Sequence, residues 1–376
     1  MATIFPIDRK ALGPYDGLAV NTLADRPPEP ATLRRSVERG IGWIEAQLQD
    51  DGSFTGSEHD LAGYYKSLLA LAICGRHESA ARCRRFLRTH LRGPDGELSS
   101  GGVKTGIERM ARNLANYMDG WVAIGAWLLE DFELANEVTT RLAEGQSERH
   151  GGILTGPERW AGLPRYDLAT AASCGRALLI CGRRDAACAA GEFLVEALNH
   201  QAAEDQRLDL VFDRDWVVIA PPNEAESTYY RFDLSRRGEK VWFPAFSCAF
   251  LCELHQVTGD ERHLRAAERY FTFVERRPEF QNGTIANGKS GWSAGLLALA
   301  TGRDEYRSAL RRIAHNVLGR QAPNGEFGAA SKTTVVEAVD STADMPRRLE
   351  RTAEFTTWTV EFLRMSAAGV MDSDGH

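Results

Sequence analysis

What the chain lacks narrows its function first. Nowhere do about 18 apolar residues follow one another, so no membrane-spanning helix is predicted. The opening residues, Met-Ala-Thr-Ile-Phe-Pro-Ile-Asp-Arg-Lys, lack the basic stretch and apolar core of a secretory leader, and the expectation is a cytoplasmic protein. Positive charge is not in excess. The 45 Lys and Arg against 52 Asp and Glu give a formal net charge of −7, which argues against a general nucleic-acid binder. Acid and base are intermixed, so a small anionic ligand stays admissible. The seven cysteines (Cys74, Cys83, Cys174, Cys181, Cys188, Cys248, Cys252) are odd in number, lie in apolar helical stretches and form no CxxC pair of the kind zinc sites use. They read as reduced thiols in a core.

What is present is a repeat. The composition, 43% hydrophobic and 26% charged, suits a soluble globular chain. In 46–66 a helix ends, a Gly turn followed by an apolar residue tucks the chain in, and a new helix opens on a polar residue. Related turns recur at Asp95-Gly96-Glu97-Leu98, His150-Gly151-Gly152-Ile153, Asn282-Gly283-Thr284-Ile285 and Asn324-Gly325-Glu326-Phe327. Their spacing, roughly 40–55 residues where no insertion intervenes, is that of a helix-pair repeat.

Residues 1–30, with five prolines, read as an extended arm, and 31–376 as one domain. An amphipathic helix over 31–48 leads into an apolar helix over 61–73. The alternation continues with charged helices near 78–92, 131–145, 184–199, 260–276 and 303–320. Apolar ones lie near 113–129, 167–181, 241–257, 290–301 and 351–366. A helix apolar all round is buried. Six buried helices inside six amphipathic ones make an all-α (α/α)6 toroid, and an open solenoid is the alternative. Two stretches break the pattern: 200–240, read as a small β-hairpin or lid insertion, and 328–350, read as a long loop.

In a toroid the Gly turns share one end, so all six inner N-termini face one mouth, suited by its free N–H groups and helix dipoles to an anion. The first inner helix brings His59, Asp60, Tyr64 and Lys66, and the second Asn113, Asn116, Tyr117, Asp119 and Trp121. The third brings Arg165, Tyr166 and Asp167; the fourth Lys240, Trp242, Phe243 and Phe246; the fifth Lys289 and Trp292; the sixth Arg351, Glu354 and Trp358. Each has a plainer reading. Asp60 and Asp167 suit helix N-caps, the aromatics suit a core, and His59 suits a surface histidine. Asp209, Asp213 and Asp215 of the insertion read as solvated. Lys66, inside a helix that otherwise buries every side, is harder to explain without a site. Carboxylates facing cations across an aromatic cup admit Mg²⁺-held diphosphate and a carbocation over aromatic faces. They also admit a sugar, with carboxylates as acid and base.

Gln47-Leu48-Gln49-Asp50-Asp51-Gly52-Ser53-Phe54 and Gln321-Ala322-Pro323-Asn324-Gly325-Glu326-Phe327 resemble the Gln/Trp repeat of squalene–hopene cyclases. Asp60-Leu61-Ala62-Gly63-Tyr64-Tyr65-Lys66, Tyr117-Met118-Asp119-Gly120-Trp121-Val122-Ala123-Ile124-Gly125-Ala126 and Gly288-Lys289-Ser290-Gly291-Trp292-Ser293-Ala294 resemble single-domain toroids of the fungal humulene-synthase type. The resemblance spans about residues 32–330. It implies a terpene cyclase that ionises a prenyl diphosphate of farnesyl type with Mg²⁺, without an organic cofactor, and cyclises it in the barrel. Carried over by position, Asp60, Asp119 and Asp167 would contact metal or diphosphate, and Lys66 and Lys289 would bind diphosphate. The chain departs from related enzymes in having no DxDD, DDxxD or NSE/DTE motif, which leaves the initiating step unassigned. The second reading is a carbohydrate-active toroid, such as a sugar epimerase, unsaturated-uronyl hydrolase or polysaccharide lyase. There His59 or His255 would be the base and Asp119 or Asp167 the acid. The third is a non-catalytic helical scaffold.

Overall fold

A computed structural model describes residues 26–93, 96, 98, 113–156, 164–204, 206–236, 238–328 and 345–372. The expected arm, apart from 26–29, and most of the loop expected over 328–350 lie outside these residues. Twelve helices of nine residues or more run through the described chain in two alternating kinds. The first kind is α2 (Tyr65–Ile73), α4 (Ala115–Leu128), α6 (Leu168–Ile180), α8 (Trp242–Thr258), α10 (Gly288–Thr301) and α12 (Met345–Ala367). Most of these are buried on every side: Ala115 through Ala126 of α4 and Gly288 through Ala298 of α10 are buried without a break. The second kind is α1 (Pro30–Glu45), α3 (His77–His90), α5 (Phe132–Glu144), α7 (Arg184–Asn199), α9 (Glu261–Glu275) and α11 (Asp304–Leu318). These bury one stripe only, as His263, Ala266, Ala267, Tyr270, Phe271, Phe273 and Val274 do on α9.

The even helices form the inner ring. Each packs on the next, and α12 packs back on α2, so the array closes and the open solenoid is excluded. Each odd helix from α3 onward lies outside the inner helix that precedes it, while α1 lies outside α12, joining the two ends of the array. The architecture is therefore the (α/α)6 toroid that the alternation predicts.

The turn repeat has a steric basis at the seams. Gly52 has φ +93°, and a β-carbon there would lie 2.2 Å from the Arg82 carbonyl oxygen on α3. Gly325, at φ +97°, would meet the Arg39 carbonyl on α1 at 2.1 Å. Only glycine tolerates both the left-handed backbone and this approach. The apolar residue after four of the five turns, Phe54, Leu98, Ile153 and Phe327, is wholly buried and bridges back to Leu48, Arg92, Gln146 and Gln321. Gln321 seals its seam by donating to the carbonyls of Ser36 (2.8 Å) and Gly325 (3.1 Å).

Three boundaries differ from expectation. The last inner helix begins at Met345, so 345–350 are helical; Pro346 sits in the first turn, where its missing N–H leaves no bond unmade. The first outer helix stops at Glu45, and the first inner helix opens with a 3₁₀ turn, Leu61–Gly63. All seven cysteines are free, five of them buried and Cys74 and Cys188 half-buried. Among the described residues no helix is long and apolar enough to cross a membrane.

The insertion forms two small antiparallel pairs: β1 (Tyr166–Asp167) with β3 (Val211–Phe212), and β2 (Arg207–Asp209) with β4 (Arg231–Asp233). Beyond β3 the chain turns at Trp216 (φ 67°), and Ile219 N–H donates to the Val211 carbonyl at 3.0 Å, which closes the expected hairpin. The insertion is tied to the mouth. Asn113 donates to Glu226 at 2.8 Å, Arg165 to the Tyr230 hydroxyl, and Lys240 to Thr228 Oγ1 at 2.5 Å. Asp209 is buried rather than solvated, because Arg207 reaches it at 3.2 Å. Asp215 is half-exposed and meets Arg149 at 2.5 Å.

Candidate active site

Lys66 and Lys289 are each the second residue of an inner helix, α2 and α10, and α12 faces both with Glu350 and Glu354. The spacing of four stacks the two carboxylates on one helix face. Lys66 Nζ donates to Glu350 Oε1 at 2.7 Å and also to Glu354, whose other oxygen receives Lys289. The Tyr65 hydroxyl donates to Glu350 Oε1 at 2.5 Å. The lysines are almost wholly buried, whereas Glu350 and Glu354 keep 16% and 18% of their side-chain surface exposed, so the quartet meets solvent through its carboxylates.

Below this quartet lies an aromatic box. Tyr65, Tyr117, Trp121, Trp242, Phe246, Trp292 and Trp358 come from five inner helices and pack ring on ring, with Trp292 and Trp358 stacked at 4.8 Å. α6 contributes no ring, and its buried positions are mostly small (Ala169, Ala171, Ala172, Ser173). Lys289 Nζ sits 5.4 to 5.6 Å from the centroids of Trp121, Trp242, Phe246 and Trp358, so four π systems converge on one cation. Lys66 Nζ lies 5.2 Å from the Tyr65 centroid and 5.3 Å from that of Trp121. Under the box a second ion pair joins Arg176 to Glu253 at 2.9 Å, with the guanidinium 4.7 Å from Trp292.

The electrostatics follow from burial and pairing. Burial opposes the charge on Lys66, but Glu350 and Glu354 outweigh it and hold the ammonium above the ordinary lysine range. Burial dominates at Lys289; Glu354 offsets it only in part and the nearby Lys66 opposes it, so the pKa is pushed down to about 8. Burial opposes the Glu354 anion, yet Lys289 and Lys66 hold it well below the carboxylate range. Burial, with Glu350 beside it, raises the Tyr65 phenol. The box can stabilise a positive centre, and the lysines can receive an anion that displaces their carboxylates.

Of the residues singled out by sequence, Lys66, Lys289, Tyr117, Trp121, Trp242, Phe246, Trp292, Glu354 and Trp358 are brought together here. The three aspartates have separate partners. Asp60 caps the 3₁₀ turn by accepting from Ala62 N–H at 2.9 Å, and burial pushes its pKa up to about 6. Asp167 caps α6 through Thr170 N–H (2.8 Å) and accepts from the Thr155 hydroxyl (2.9 Å); burial raises its pKa too. Asp119 has no exposed surface and pairs with Arg141 of α5 at 3.0 Å. Among the described residues, these three are not in the group of ligand-type side chains that lie close enough to share an ion.

The remaining candidates serve the frame or the insertion. Tyr64 accepts from Phe54 N–H at 3.1 Å and stacks on Phe86 of α3. Asn116 donates to the Leu154 carbonyl at 2.8 Å. Arg165 holds Tyr230, and Tyr166 lies in β1 with its ring edge-on to His150. His59 is exposed, and His255 lies in the last turn of α8, at the end of the ring away from the mouth. Sequence reasoning placed Tyr117 and Glu354 at the mouth without giving them a role, and missed Glu350 and Tyr65 as site members. The available signal was the four-residue spacing of Glu350 and Glu354 ahead of Trp358.

No protein-family model matches the chain, and no curated protein matches it. Solved structures do. D-mannose isomerase shares 12% identity with a TM-score of 0.66, over 89% of this chain and 99% of that one. Cellobiose 2-epimerase from Spirochaeta thermophila shares 14% identity with a TM-score of 0.64, over 90% and 98%. The type II terpene cyclase MstE from Scytonema, in complex with geranylgeranyl dihydroxybenzoate, shares 14% identity with a TM-score of 0.56, over 90% and 99%. At these identities the likeness is one of fold, and it joins the chain to a set of (α/α)6 toroids that includes both terpenoid-cyclising and sugar-converting enzymes.

Proposed function

We propose that the chain is an enzyme that cyclises an isoprenoid diphosphate. The observation that carries this reading is the aromatic box, in which four ring faces converge on the Lys289 ammonium beneath a rim of lysines and carboxylates. A point where the fold already holds a cation among π faces is chemically matched to a carbocation. Lys66 and Lys289 would exchange carboxylate partners for the oxygens of the departing diphosphate, while the rings stabilise the charge left on carbon. Magnesium was expected from the resemblance, but Asp60, Asp119 and Asp167 offer no shared donor set, so no step is assigned to it.

The test is incubation of the purified protein with farnesyl or geranylgeranyl diphosphate in magnesium buffer, followed by gas chromatography of an organic extract. A cyclic hydrocarbon or alcohol above the protein-free control, lost in Lys66→Ala with the helical circular dichroism intact, is the expected result. Absence of product with both substrates overturns the reading.

A second reading, conversion of a sugar, is favoured by the partly exposed pair Glu350 and Glu354 over aromatic platforms. It lacks the base it was expected to use: His59 is exposed and His255 lies at the far end of α8. Turnover of D-mannose or cellobiose by the same preparation would favour it.

A further inference from the structure

On the outer wall of the toroid α7 and α9 bring three ligand-type side chains to one place. One oxygen each of Glu192 and Asp260 and one ring nitrogen of His263 lie within 4.8 Å of one another. Two carboxylates on a protein surface carry no such implication alone; His263 does. Its side chain is almost wholly buried, 2% exposed, and Nε2 has no hydrogen-bond partner, although it lies 3.4 Å from Glu192 Oε1. Buried ring nitrogens without a hydrogen bond are uncommon, and this one faces a carboxylate oxygen of Glu192, in the group that Asp260 completes. The other nitrogen, Nδ1, lies 3.3 Å from Thr258 Oγ1, a contact that fixes the ring, as the outer nitrogen of metal-bound imidazoles is usually fixed.

The place already holds a positive charge. The guanidinium of Arg262 reaches Glu192 at 2.9 and 3.0 Å and Asp260 at 2.7 Å. That side chain is 54% exposed, so it can swing into water when a stronger cation arrives. We propose that Glu192, Asp260 and His263 form a site for a divalent transition ion of the Zn²⁺ or Co²⁺ class, with Arg262 as its built-in competitor. One imidazole and two carboxylates supply three ligands and leave a position for water, and the imidazole selects against Mg²⁺ and Ca²⁺. The ion would staple α7 to α9, independently of the chemistry at the mouth.

The test is titration of chelator-stripped full-length protein with Co²⁺, read by its visible absorption and by displacement with Zn²⁺. The expected result is saturable one-to-one binding, weakened about 100-fold by His263→Ala or Glu192→Gln and tightened about tenfold by Arg262→Ala. Absence of saturable binding, binding indifferent to both ligand variants, or weaker binding in Arg262→Ala overturns the proposal. Should His263→Ala fail to fold, Glu192→Gln, at a half-buried position, decides.

Discussion

Replacing Lys289 with methionine is expected to stabilise the fold while abolishing turnover. Lys289 is 1% exposed, and burial pushes its pKa down to about 8 from an ordinary 10.5. The difference, 10.5 minus 8, corresponds at about 1.4 kcal/mol per pH unit to about 3 kcal/mol against the charged side chain in the folded state. The sign follows from proton counting. Between pH 8 and 10.5 the unfolded chain binds more protons at this residue than the folded one. Stability therefore rises with pH through that window, and the full deficit stands below pH 8. Methionine carries no charge to desolvate, its thioether packs well against aromatic rings, and Glu354 retains Lys66. Urea unfolding at pH 7 should show the variant more stable by up to about 3 kcal/mol, with the gap closing as the pH approaches that of the free lysine. A variant less stable by more than about 1 kcal/mol at pH 7, or a gap that stays constant from pH 8 to pH 10, refutes the reasoning. Loss of product in a stabilised protein would mark the cation as held for function against stability.

Gly325→Ala combines a left-handed backbone with a β-carbon 2.1 Å from the Arg39 carbonyl, and should lower stability by about 2–4 kcal/mol in urea or thermal unfolding. Asp119→Asn leaves Arg141 with a weaker partner and should lower the urea midpoint by the equivalent of about 1–3 kcal/mol; an unchanged midpoint would argue against a structural pair. Asp60 titrates near pH 6 in the fold against 3.8 in the free residue, so the folded state binds the extra proton in that window and stability falls as pH rises through it. Asp60→Asn keeps an acceptor for Ala62 N–H, and should be more stable than the parent at pH 7 by at most about 3 kcal/mol, with the advantage gone at the acid end of that window.

The frame was legible because each kind of helix carries its own pattern. Residues 115–126 are apolar or small at nearly every position and 261–275 at every third or fourth, and the structure buries them accordingly. The Gly-x-aromatic turns were legible because backbone sterics leave glycine as the residue for Gly52 and Gly325. The candidate site was legible only in part. Lys66 and Lys289 stood out as charges inside helices with no polar face, which is a local signal. Of their partners, Glu354 was placed at the mouth but Glu350 did not stand out, since it lies in an Arg-rich stretch, Met345 to Arg351, whose polarity and proline read as a loop. Only tertiary packing turns that stretch toward the mouth. Asp60 and Asp167 are caps, the reading that helix-end chemistry favours for an aspartate alone. Asp119 could not be assigned from sequence, because its partner Arg141 lies on the following outer helix.

The pairing of α1 with α12 has a consequence for how the chain is made. Leu33, Val37, Ile41 and Ile44 emerge from the ribosome well before the surface they cover is translated. Gly40 of α1, where a β-carbon would meet Thr356 Oγ1 at 2.3 Å, waits for the same segment. Until about 300 further residues have been added, at about 5–20 per second, the nascent protein displays an unpaired greasy stripe, a natural handle for a holdase chaperone.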